Sequence, residues 1–138
     1  MSFSDPIVTG KNAQAVIAVA RIVMGLSFIY YGVSKFWFIA GTIAFVGTRL
    51  PMPTEVFWLS IVLEIGAGVL LVIGLATRWV AAFLAFYCCF TAIVFHFVPS
   101  NRGVLDHFFE NFALAGGFLY VMVIGPGAAA LDNSRRNN

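Results

Sequence analysis

The chain has 138 residues, of which 61% are hydrophobic and only 10% charged, with a mean hydropathy of +0.94. That composition excludes a soluble globular enzyme and a disordered chain and points to an integral membrane protein. The formal net charge of +2 comes from residues scattered between apolar stretches. No basic run could track a phosphate backbone, so nucleic acid is not an expected partner. Spans of about 20 residues fill a chain of this length four times over. The expected fold is therefore one all-α transmembrane domain, a four-helix bundle over 1–138 with almost no extramembrane mass.

Residues 1–12 are rich in Ser, Asp, Pro, Gly and Asn and predict a polar tail. The first span is expected over residues 13–37, without a small-residue cleavage site after it, so it reads as a retained helix and not a signal peptide. Within it Arg21, Gly25, Phe28, Gly32 and Lys35 recur at the spacing of one helical face. Glycines on such a stripe let a neighbouring backbone come close, which turns the stripe inward. Residues 38–54 break the pattern with Gly41, Gly47, Arg49, Pro51 and Pro53, predicting a short interfacial or re-entrant segment before the second span.

The second span, residues 55–75, carries one carboxylate on a small face of Ser60, Glu64, Ala67, Gly68 and Leu71. Counted from the ends of their own helices, Arg21 and Glu64 fall near mid-depth, so an Arg21–Glu64 ion pair is expected. Such a pair either locks the bundle or handles a proton or ligand, and both readings stay open. A tight turn at residues 74–78 makes a hairpin with the third span, residues 77–98, whose small face runs through Arg78, Ala82, Ala85, Cys89, Ala92 and His96. Cys88 and Cys89 point about 100° apart on a helix, which suits neither a disulfide nor a redox pair, so they read as small apolar fillers.

The fourth span, residues 105–124, is stopped by Gly125, Pro126 and Gly127 and leaves a surface tail at 128–138. Asp106 and His107 are expected to cap its first turn, with Glu110 and Asn111 one turn deeper. His96, Glu110, Asn111 and Lys35 then share one end of the bundle. Together they offer an imidazole that trades protons, a carboxylate, an amide and an ammonium, within a chain that is 16% aromatic. A quinone head group binds to such a set; a histidine held in an interhelical network is the alternative. Two histidines at the same end do not make a bis-histidine haem site, and no short ligand spacing supports a metal.

The runs ARIVMGLSFIYYGVSKFW from Ala20, LPMP from Leu50, EIGAGVLLVIGLATRWVA from Glu64, ENFALAGGFLYV from Glu110 and GPGAAALD from Gly125, with His96 closing the third span, resemble the DoxX-like family of small four-helix membrane proteins. The positions that match the family pattern are Arg21, Lys35, Glu64, Arg78, His96 and Asn111. The family takes its name from a membrane subunit of a thiosulfate:quinone oxidoreductase. The resemblance implies a multi-pass protein of the bacterial inner membrane that serves as subunit of a quinone-linked redox assembly, with no intrinsic cofactor beyond a bound quinone. It leaves open a non-catalytic anchor or assembly subunit and a small-solute permease. Expected partners are the lipid bilayer and either other subunits or a second copy. Lys11, Arg78, Arg135 and Arg136 on the side of the termini, against Lys35, Arg49 and Arg102 on the other, favour termini in the cytoplasm.

Overall fold

A computed structural model describes residues 10–136, and among them four helices are long and apolar enough to cross a membrane. The first, α1, spans Lys11–Ser34 and runs through a 3-10 turn, Lys35–Phe38, into a short helix α2, Ile39–Gly47. A straight helix over all 37 of these residues would measure about 55 Å, far longer than a hydrocarbon core of about 30 Å. The chain bends instead at Phe38, whose φ of −135° and ψ of 41° leave the helical region. α2 thus packs on the next helix and sets Phe45 against Phe95 with ring centroids 5.8 Å apart. It is the segment expected to interrupt the first two spans.

Pro53 opens α3, Pro53–Ile73, where its missing N–H costs nothing. Gly74 at φ 69° closes α3 by donating to the end carbonyls, and α4, Thr77–Thr91, follows at once. A π-helical turn, Ala92–His96, prolongs α4; a turn capped by the Asn101 side chain then starts α5, Arg102–Ile124. Asp106 and His107, expected as caps, lie one turn inside α5, because Asn101 takes the capping role.

α1 packs along α3 and α4 along α5, whereas α3 and α4 touch over little of their length. The α1 face is the expected one: Arg21, Gly25, Phe28 and Gly32 are all buried. Gly25 meets Gly68 so closely that a Cβ at Gly25 would stand 2.8 Å from the Gly68 carbonyl oxygen and 2.9 Å from Val72 Cγ2. Gly25→Leu is therefore expected to cost about 3 kcal/mol or more by overpacking. Gly66→Ala, where a Cβ meets nothing within 4 Å, serves as the neutral control in the same thermal-unfolding assay.

Two further expectations are corrected. The buried face of α4 runs through Thr77, Val80, Ala81, Leu84, Ala85 and Cys88; of the expected face Ala85 and Ala92 are buried and Cys89 packs partly buried against the core, whereas Ala82 is only partly buried and Arg78 is exposed. Arg78 instead donates to the Met122 and Val123 carbonyls at 2.8 and 2.6 Å, where a cation suits the C-terminus of α5.

Nor is 128–138 simply a surface tail. The Ala128 N–H donates to the Gln14 carbonyl at 3.0 Å, Ala130 is buried, and a last helix α6 spans Leu131–Arg136. Asp132 on α6 caps α4 from outside by accepting the N–H groups of Ala76 and Thr77, both at 2.8 Å. Residues 1–9 of the expected N-terminal tail lie outside the described residues.

Candidate ligand-binding site between the splayed helices

Because α3 and α4 diverge from the Gly74 turn, a wedge opens between the two packed pairs at the end far from the described C-terminus. It holds a cavity of about 650 Å³. α2 closes one side with Thr42, Phe45 and Val46. Leu59, Phe86 and Phe90 line the cavity and are exposed apolar side chains on α3 and α4, so a cavity wall between these two spans offers apolar surface to a surrounding bilayer. A bilayer-dissolved molecule can enter there without crossing water.

The deepest polar group is Glu64, 6% exposed. Lys35 Nζ donates to its Oε1 at 2.7 Å and to Ser60 Oγ at 2.8 Å, and the Tyr87 hydroxyl donates to the same Oε1 at 2.7 Å. Glu64 Oε2 is buried with no hydrogen-bond partner among the described residues. Lys35 reaches this far because it starts the 3-10 turn where α1 bends, one helical turn beyond Gly32. A Cβ at Gly32 would stand 3.3 Å from Glu64 Cβ, so the two helices run close at this level.

A second group lines the same cavity nearer the end of the bundle. His107 Nδ1 and Glu110 Oε2 are 2.7 Å apart and both side chains are more than half exposed. The His96 ring, carried round by the π turn, stands 5.6 Å from the His107 ring. Turns of this kind recur at functional sites. Asn111 donates to the His107 carbonyl at 2.9 Å, and its own oxygen lies 3.1 Å from Thr91 Oγ1. The four residues expected as a cluster, Lys35, His96, Glu110 and Asn111, thus all line one cavity.

The expected Arg21–Glu64 ion pair does not form; the cation on Glu64 is Lys35. The cause is stagger between helices. α1 begins well below the end of α3, so Arg21 lies level with the last turn of α3, and a helical side chain points back toward its own N-terminus. Fully buried, Arg21 donates to the carbonyls of Leu71, Val72 at 2.9 Å, Pro126 at 2.9 Å and Ala129 at 3.1 Å. Glu64 faces Gly32, about 16 Å further along α1. Tyr87 and Thr91 were missed as site residues because they lie in an aromatic run without a polar period. The one available signal was that a buried tyrosine hydroxyl needs a partner.

Four spans around a lipid-facing cavity with a buried polar set at its wall define a small multi-pass membrane protein with a candidate intramembrane binding site. The family profile of DoxX matches residues 16–97, and the chain belongs to that family. It is 32% identical over 129 residues to "Inner membrane protein YphA" of Escherichia coli K12, covering 89% of this chain and 92% of that one. "Inner membrane protein YqjF" of the same organism is 35% identical over 118 residues, 84% of this chain and 88% of its own. A Bacillus subtilis protein named "Putative oxidoreductase CatD" is 37% identical over 75 residues, 54% of this chain and 55% of its own. No solved structure matches the chain significantly.

The family-pattern positions fall into two sets. Arg21 and Arg78 tie carbonyls at one end of the bundle, and Lys35, Glu64, His96 and Asn111 line the cavity at the other.

Proposed function

We propose that the chain is a membrane subunit of a redox assembly in the bacterial inner membrane and that it holds a quinone-type ligand between α3 and α4. One observation carries this reading: a cavity of about 650 Å³, open to lipid, whose aromatic walls converge on Lys35, Glu64, Tyr87 and His96. Its volume suits a substituted aromatic ring, and its few polar groups suit the two oxygens of a head group. An isoprenoid or alkyl tail leaves between Leu59 and Phe86 into the bilayer. The name of CatD, an oxidoreductase by that name, agrees with a redox setting. On this reading electrons come from and go to partner chains, and the residues at the cavity bind and orient the head group.

The termini lie in the cytoplasm on this reading. Lys35 is folded onto Glu64, which removes it from the charges flanking the far surface and leaves Arg49 and Arg102 there against Lys11, Arg78, Arg135 and Arg136.

The test is native mass spectrometry of the protein gently solubilised from its own membrane. A quinone adduct that is lost in His96→Ala, with the melting temperature unchanged, supports the reading. A stable partner chain without any small ligand, indifferent to His96→Ala, replaces it with the anchor reading.

A further inference from the structure

Resting on that ligand reading, we infer that the occupant is held in its hydroxyl-bearing form, a hydroquinone or a similarly shaped phenol, with the Glu64 carboxylate accepting its O–H. A carboxylate presents about four lone-pair positions. On Glu64 the two bonds from Lys35 and Tyr87 both fall on Oε1, and Oε2 is buried with none. A buried acceptor in that condition lacks a donor.

No neighbouring hydroxyl can supply one. The single proton of Tyr87 already goes to Oε1, and that of Ser60 goes to the Phe57 carbonyl at 2.8 Å. The Thr91 hydroxyl lies among three carbonyl-type oxygens, Tyr87 O, Cys88 O and Asn111 Oδ1, and its one proton serves those. Arg21, a fully buried cation, spends its donors on carbonyls at the opposite end of the bundle. Two of the three Lys35 N–H groups are spent on Glu64 Oε1 and Ser60, so the wall keeps one spare N–H beside an open carboxylate oxygen, and the cavity that Glu64 lines is the direction from which a donor to that oxygen comes. Oε1 is held by Lys35 and Tyr87, so Oε2 is the oxygen left for a ligand, and a small turn of the broad last torsion of Glu64 uncovers it toward the cavity that the residue lines.

Chemistry then separates two forms of one ligand. An oxidised quinone carries only carbonyl oxygens, which can accept the third Lys35 N–H but set lone pairs against lone pairs at Glu64 Oε2. Its reduced form carries O–H groups, one of which completes the carboxylate, while the third N–H of Lys35 is free to donate to that hydroxyl's oxygen. A site built around a ligand hydroxyl discriminates strongly against the analogue that lacks it.

The experiment is titration calorimetry on the full chain in lipid nanodiscs under anaerobic conditions, with three probes of one shape: a decyl benzoquinone, its hydroquinone and the dimethyl ether of that hydroquinone. The hydroquinone is expected to bind about tenfold or more tightly than either other probe. In Glu64→Gln that preference should collapse, because an amide N–H donates to a quinone carbonyl. The double variant Lys35→Met/Glu64→Gln repeats the measurement in a neutral wall if the single change does not fold. Equal affinity for the hydroquinone and its dimethyl ether in the unaltered protein overturns the inference while leaving the ligand site standing. Absence of binding for all three overturns the ligand reading itself, and this inference with it.

Discussion

Arg21→Met is expected to unfold most of the protein under conditions where the unaltered chain is stable, a loss of at least about 3 kcal/mol. Arg21 is the fully buried cation that joins three separate parts of the chain: α1, the last turn of α3 through the Leu71 and Val72 carbonyls, and the 125–130 segment through Pro126 and Ala129. A lysine has no planar fork to span carbonyls on two sides, so Arg21→Lys recovers only part of the loss. Alanine at Asp132 should give a smaller decrement of about 1–2 kcal/mol, since it strips the cap from two N–H groups of α4 without emptying the core. The readout is thermal unfolding in detergent, followed by ligand titration on whatever folded fraction survives. Ligand affinity per folded molecule should be unchanged in all three variants, because this clasp lies at the opposite end of the bundle from the cavity.

Why the clasp was hard to foresee follows from what a single chain encodes. The helical face of Arg21, Gly25, Phe28 and Gly32 was legible because charge, glycine and the helical period coincide on it, and all four are buried. The gathering of Lys35, His96, Glu110 and Asn111 was legible because the alternating direction of the spans brings the C-terminal ends of the first and third and the N-terminal half of the fourth to one end of the bundle. The partner of Arg21 was not, since depth within one helix says nothing of the offset between helices. Here α1 runs well past the end of α3, and that offset sends Arg21 to a set of carbonyls and Glu64 to Lys35.

The run from Gly125 reads in sequence as a helix stop. Its second meaning, a segment threaded against Gln14 and Arg21, depends on contacts more than a hundred residues away. The α4 face was legible in part, since Ala85 and Ala92 are buried as expected, but the pattern of small residues also took in Arg78 and Ala82, which stand beside the core face. Leu84, Ala81 and Cys88 fill it, and the alanine at position 82 does not.

Lys35→Met is the second large effect, and it differs in kind. It leaves Glu64 as a buried carboxylate with only the Tyr87 hydroxyl on it, and stranding one partner of a buried ion pair costs about 3–5 kcal/mol. Glu64→Gln strands Lys35 less severely, because Lys35 is 21% exposed at the cavity and keeps Ser60. The double variant Lys35→Met/Glu64→Gln should return close to the original stability, since a neutral wall carries no desolvated charge. A double-mutant cycle in the same thermal assay therefore yields a coupling of about 2 kcal/mol or more between the two sites. A purely structural pair would end there. If the pair serves the cavity, the double variant melts like the unaltered protein yet loses its selectivity for the hydroxyl-bearing ligand. Stability restored with selectivity intact would mean that the Lys35–Glu64 bridge only locks α1 to α3, and that recognition lies with His96, Glu110 and Asn111.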